Sequence, residues 1–154
     1  MAWKAIWLFV HVASVTVWVG GMLFAYQFLR PVAAEQLQPP QRLPLWAGVF
    51  ARFFPWVWIA VTLILVSGLA MFLQVGFKLA PVNWHLMFAL GLAMMAIFMH
   101  VFFAPYRRLK RAVAQQEWQP AGAALNQIRR LVGINVILGF VTIALATLGR
   151  MVGA

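Results

Sequence analysis

The chain has 154 residues, of which 65% are apolar and only 9% charged, and its formal net charge is +10. A soluble domain carries roughly 25% charged residues, so this composition excludes a water-soluble globule and indicates an integral membrane protein. At roughly 20 residues per crossing, the length accommodates about four spans with their connections and leaves no enzyme module outside the bilayer.

The excess charge does not suggest nucleic acid, because apart from Lys4, Lys78 and Arg150 every basic residue lies in the first or third connection. Clusters beside spans set orientation and touch lipid headgroups. The chain contains no cysteine, which excludes disulfides, thiolate metal sites and thioether-attached haem. A metal would have to be held by His, Met or backbone groups.

The first apolar run covers about residues 4–29, longer than the h-region of a signal peptide, and is expected to remain as span 1. The following connection holds Arg30-Pro31, Glu35, Pro39-Pro40, Arg42 and Arg52. Its prolines predict short interfacial pieces. Span 2 is expected over about 54–75, opening at Phe54-Pro55, with Ala60, Ser67, Gly68 and Met71 as a packing face. A short turn around Gly76, Lys78, Pro81 and Asn83 leads to span 3, about 84–104. The basic stretch Pro105 to Arg111 should stay helical past the membrane surface. A turn is expected around Trp118-Gln-Pro120 before span 4, about 131–151, whose Asn135, Gly139, Thr142, Ala146 and Gly149 form one small-residue face.

Nine basic residues flank one side of these spans and three the other. The positive-inside rule therefore places both termini outside the cytoplasm, in the periplasm of a bacterial inner membrane. Tryptophans 3, 7, 56, 58 and 84 fall near span ends, as an aromatic belt would. The expected fold is an all-α four-transmembrane-helix bundle, with residues 1–154 as one membrane domain.

Span 1 carries one ionisable group in its interior, His11. Helical stepping from it gives Ser14, Trp18, Gly21 and Ala25, a face of small or polar groups with one large ring. An imidazole in hydrocarbon is costly unless it faces the bundle interior or a ligand, which makes His11 a site candidate. His85, near the outer end of span 3, falls within about one turn of the same depth, whereas His100 is ~22 Å deeper. His11 and His85 can thus share a site that His100 cannot join. Two facing histidines suit a b-type haem or a copper site. The competing readings are a wet interfacial His85 beside Trp84 and a His11 hydrogen-bonded to Ser or Thr of a neighbouring span. His100, close to the basic surface, reads as structural.

Methionine supplies a second, softer donor type: Met22 on span 1, and Met87, Met94, Met95 and Met99 on span 3. Met87 lies about 200° around the helix from His85, so the two cannot both point squarely inward. Such sulfurs also serve as adaptable packing. The only acids, Glu35 and Glu117, lie in connections. A hydrolase or a carboxylate-driven carrier would need an ionisable acid or base placed in the membrane.

His11, Trp18 seven positions later, and Gly20-Gly21-Met22-Leu23-Phe24 resemble the first span of the CopD copper-resistance membrane family. The spacing is similar to that of the related HemJ-type protoporphyrinogen oxidases, four-span haem-binding proteins. Trp84-His85-Leu-Met-Phe-Ala-Leu90 resembles the start of the third span in both groups. The resemblance implies that His11 is a haem or metal ligand and His85 its counterpart. Two positions depart from the HemJ pattern: Met87 stands where a lysine is found, and Gln27 where an arginine closes span 1. These changes remove groups linked to porphyrinogen oxidation and leave haem ligation, with Met87 as an alternative axial group that would raise the potential.

The leading expectation is therefore an inner-membrane haem b protein in electron transfer or porphyrin-linked redox chemistry. Its cofactor-binding residues are His11, His85, Trp18 and Met87, with His11 and His85 on the metal. The alternative is copper binding or transport through His and Met ligands. Expected partners are the lipid bilayer, a membrane redox partner or quinone, and a second copy of the chain, but not nucleic acid. A structural subunit docking a partner through small-residue faces is the third reading.

Overall fold

The computed structural model describes residues 2–149, and the structural statements below concern those residues. Helix α1 spans Ala2–Leu23 and passes without a break through a π-helical turn, Phe24–Leu29, into α2, Arg30–Gln36. Helices α3 (Pro39–Val75), α4 (Val82–Phe103), α5 (Pro105–Ala114) and α6 (Trp118–Leu148) complete the chain. There is no strand among the described residues. Four helical runs are long and apolar enough to cross a membrane. This fits the physics of the lipid interior, where every backbone N–H and C=O must be satisfied within the chain. The protein is an all-α, multi-pass membrane protein.

The helix boundaries differ from the sequence expectation on the connection side. The first connection is not broken into short pieces. Only Leu37 and Gln38 leave the helical conformation, both extended, just before Pro39 opens α3. A proline disfavours the α region for the residue before it and suits the first helical position itself, which places the break here. Pro44 and Pro55 then lie inside α3. The 37 residues of α3 extend ~55 Å, well beyond the ~30 Å hydrocarbon core. Part of so long a helix must lie beyond the hydrocarbon, where water can satisfy carbonyls that a proline leaves unpaired.

Helix α4 gives way to α5 through a break at Ala104 (φ −113°, ψ −84°) ahead of Pro105. The last turn falls slightly earlier than expected, at Gln115–Glu117. Gln116 adopts a left-handed φ of 58°, and the Glu117 amide donates to the Ala112 carbonyl at 2.9 Å. Trp118 and Pro120 then belong to the first turn of α6. The other left-handed residue, Gly76 (φ 87°), ends α3, where a side chain would be strained. The expected end of span 4 at Met151 lies outside the described residues.

Packing divides the bundle into two unlike halves. Helix α1 lies along α3, and α4 and α5 lie along α6, while α3 and α4 approach each other closely at few points. On the connection side this α3–α4 space is filled by rings. Phe54 stacks on Phe50 (5.0 Å, 7°) and meets Tyr106 edge-on (4.8 Å, 84°), and Trp58 meets Phe98 and Phe102. Edge-to-face and offset pairs of this kind each add about 0.5–1.5 kcal/mol beyond dispersion from area alone. Toward the chain termini Phe72 of α3 again meets rings of α4, Trp84 (5.6 Å, 80°) and Phe88 (5.6 Å, 69°), and a cavity opens beside them, walled by these rings and by small or flexible groups.

Candidate functional site

The cavity has a volume of about 250 Å³ and lies between α1, α3, α4 and α6. His11 and Trp18 line it from α1, Gly68 and Met71 from α3, Met87, Gly91, Met94 and Met95 from α4, and Gly139, Thr142 and Ala146 from α6. The faces expected on spans 2 and 4 as packing stripes thus supply cavity wall. Their small residues both let helices approach and leave interior space unfilled. At Gly139 both effects meet: a Cβ there would come within 2.9 Å of Val19 and 3.4 Å of Met94.

His11 is held in a defined state. Its Nδ1 lies 2.9 Å from the Ser67 hydroxyl, and that hydroxyl donates its single hydrogen to backbone carbonyls one turn back, 2.5 Å to Leu63 and 3.2 Å to Ile64. With its proton spent, Ser67 can only accept, so His11 carries a hydrogen on Nδ1; the uncharged ring, which an apolar interior favours, then has its lone pair on Nε2. Ser67 is fully buried, so water cannot compete for the bond. Histidines that ligate metals are commonly oriented in this way, the second ring nitrogen donating to a fixed acceptor. Gly68 gives the ring its room: a Cβ at that position would touch His11 Cε1 at 3.5 Å.

Four thioethers, Met71, Met87, Met94 and Met95, line the same cavity. Thr142 donates its hydroxyl hydrogen to Leu138 within its own helix (2.8 Å) and so presents only oxygen lone pairs. The wall holds no carboxylate. Among the described residues, no three His, Cys, Asp or Glu side chains gather where they could hold a metal ion. The donors are thus one neutral imidazole and several neutral sulfurs. Such a set suits a soft monovalent ion, above all Cu(I), and not a hard or borderline divalent one.

The structure does not bring His85 to His11. His85 is exposed, lies outside the cavity wall, and its Nε2 donates to the Phe77 carbonyl at 3.1 Å. Its ring packs against Phe72, centroid to centroid 5.4 Å, and Phe72 rather than His85 forms part of the wall. The angular argument on α4 explains the difference: Met87 takes the inward position, and that turns His85 away. An axial pair of His11 and His85 is therefore not what this geometry offers. Trp18 and Met87, the other two expected site residues, do share the cavity with His11. His100 stands apart, exposed and 3.4 Å from Gln127, which also accepts from Arg108.

The bond to Ser67 is the one anticipated by the competing reading of His11, a hydrogen bond to Ser or Thr of a neighbouring span; the sequence does not say which hydroxyl, and it marks Met71 only as part of a packing face. The histidine-to-serine spacing is 56 residues, so only the α1–α3 contact creates the pair. Below the cavity, Trp18 also borders a smaller space of about 30 Å³ shared with Met22 and Asn135. Asn135 ties α6 to α4 by donating to the Met94 carbonyl (3.1 Å), while its Oδ1 is buried without a partner.

No curated relative and no solved structure matches the chain. The family described as Copper resistance protein D matches residues 47–148. That stretch covers most of α3 and all of α4 to α6 and includes Ser67 and the four cavity methionines, while His11 and Trp18 lie ahead of it. With about two thirds of its length matched, the chain belongs to the copper resistance protein D family.

Proposed function

We propose that this protein binds Cu(I) in the cavity between its four long helices, with His11 Nε2 and methionine sulfurs as ligands. It would act as a copper-binding or copper-transporting protein of the bacterial inner membrane. The observation that carries this reading is the Ser67-oriented imidazole sharing one cavity with Met71, Met87, Met94 and Met95. Family membership agrees with it and gives no corresponding support to haem. The ion would be cargo or bound substrate, held by neutral donors that compensate for lost water without adding charge.

The excess of Lys and Arg on the connection side supports a cytoplasmic position for that end, which would turn the cavity half toward the periplasm. Copper would then enter from outside. Beneath the cavity the interior narrows to Trp18, Phe54 and Phe98, so passage to the other face requires side chains to move.

Titration of detergent-purified protein with Cu(I) against a chromophoric chelator tests the reading. One tight site per chain, lost in His11→Ala, is expected, with sulfur and nitrogen scattering in the copper X-ray absorption spectrum. Protein that purifies with iron porphyrin and shows no Cu(I) site would overturn it.

A further inference from the structure

At the opposite end of the bundle a half-open cleft of about 420 Å³ lies among α2, α3, α6 and the π-helical turn. Arg30, Arg42 and Arg129 line it, one from each of the three helices, and neither of the two acids of the chain does. The floor is apolar and buried, formed by Leu43, Trp46, Phe50 and Ile128. The three arginines are exposed or half-exposed, so the cations ring an apolar interior.

Arg30 is held in place before any ligand arrives. Its Nε donates to the Tyr26 carbonyl at 3.2 Å, and its guanidinium sits 4.8 Å from the centre of the Tyr26 ring. The Tyr26 ring in turn lies against Gly133, where a Cβ would meet it at 3.0 Å. Tyr26 belongs to the π-helical turn, a rare helical form that is frequent at functional sites. A guanidinium already fixed by packing loses less freedom on binding than a free surface side chain.

We propose that this cleft binds a phosphate anion carried on an amphiphile, namely the headgroup of an anionic phospholipid. Guanidinium groups match phosphate oxygens two at a time, and basic pockets between spans on the cytoplasmic side suit acidic headgroups. The aromatic and aliphatic floor accepts the glycerol and upper acyl chain. A free phosphate would use the arginines and leave that floor unused. The inference does not depend on copper and concerns a separate part of the molecule.

The test is native mass spectrometry and thermal unfolding of the full chain in detergent, with added phosphatidylglycerol, phosphatidylcholine or inorganic phosphate. Phosphatidylglycerol should be retained and should raise the unfolding temperature, while phosphatidylcholine and inorganic phosphate should not. Retention should fall about tenfold in Arg42→Gln/Arg129→Gln and recover only in part with lysine at both positions. Arg111→Gln/Arg130→Gln removes the same charge from exposed positions outside the cleft and should leave retention unchanged. Equal loss in both pairs, no preference for phosphatidylglycerol, or the same stabilisation by inorganic phosphate would each overturn the proposal. If Arg42→Gln/Arg129→Gln does not fold, competition between the two lipids on the unaltered chain decides it by the same preference.

Discussion

Replacing Ser67 by Ala removes one oxygen and nothing else from the cavity region, and its effect can be sized from the geometry. In the unaltered protein, Ser67 accepts from His11 Nδ1 at 2.9 Å because its own hydrogen is committed to the Leu63 carbonyl. Without that acceptor His11 can take either tautomer and rotate, so its Nε2 lone pair is no longer fixed. Loss of a partner that orients a metal-ligating histidine typically costs 10–100-fold in affinity, about 1.4–2.7 kcal/mol. The cost to the fold is smaller, since a hydrogen bond between spans averages about 0.6 kcal/mol. Cu(I) affinity should therefore drop at least about tenfold in Ser67→Ala with the unfolding temperature nearly unchanged. A double-mutant cycle adds a stricter check: in a His11→Ala background, Ser67→Ala should have no further effect on residual binding. A folded Ser67→Ala protein with full affinity would refute the role assigned to this pair.

Gly68→Ala should leave Cu(I) affinity near normal, because the new Cβ makes ordinary contact with His11 at 3.5 Å, whereas the extra methyls of Gly68→Val should displace the ring and lower affinity in the same titration. Met87→Leu keeps side-chain volume and should weaken Cu(I) binding with little change in thermal stability, while His85→Ala, outside the cavity, should leave binding intact; the reverse result would restore His85 to the site. Gly139→Ala brings a Cβ within 2.9 Å of Val19 and should destabilise the bundle by about 1–3 kcal/mol, measured by unfolding in mixed micelles. Phe54→Ala opens the ring cluster between Phe50 and Tyr106; because lipid weakens the hydrophobic component, its cost should lie toward the lower end of the ~3–5 kcal/mol seen in soluble cores, with Cu(I) affinity unaffected.

The amino-acid sequence alone determined that the chain lives in a membrane and crosses it on four helices. Those properties depend on local composition: long apolar runs can satisfy their backbone in lipid only as helices, and Gly76 and Pro105 mark the ends of two of them. The sequence also singled out His11 and Trp18, since helical spacing puts both on one face whatever packs against them. It could not say how far helices continue beyond the bilayer. Pro55 reads as the opening of a helix, yet α3 begins at Pro39 and runs through Pro44 and Pro55, since the carbonyls they leave unpaired can be met by water or tolerated within a helix held by its neighbours. Which groups meet across the bundle was decided only by tertiary structure. The rotation of α4 turned Met87 inward and His85 outward, the approach of α1 to α3 joined His11 to Ser67 across 56 residues, and the small-residue stripes became walls of a cavity because α3 and α4 stand apart there. Those outcomes depend on relative rotation and spacing of helices, which no single stretch of sequence encodes.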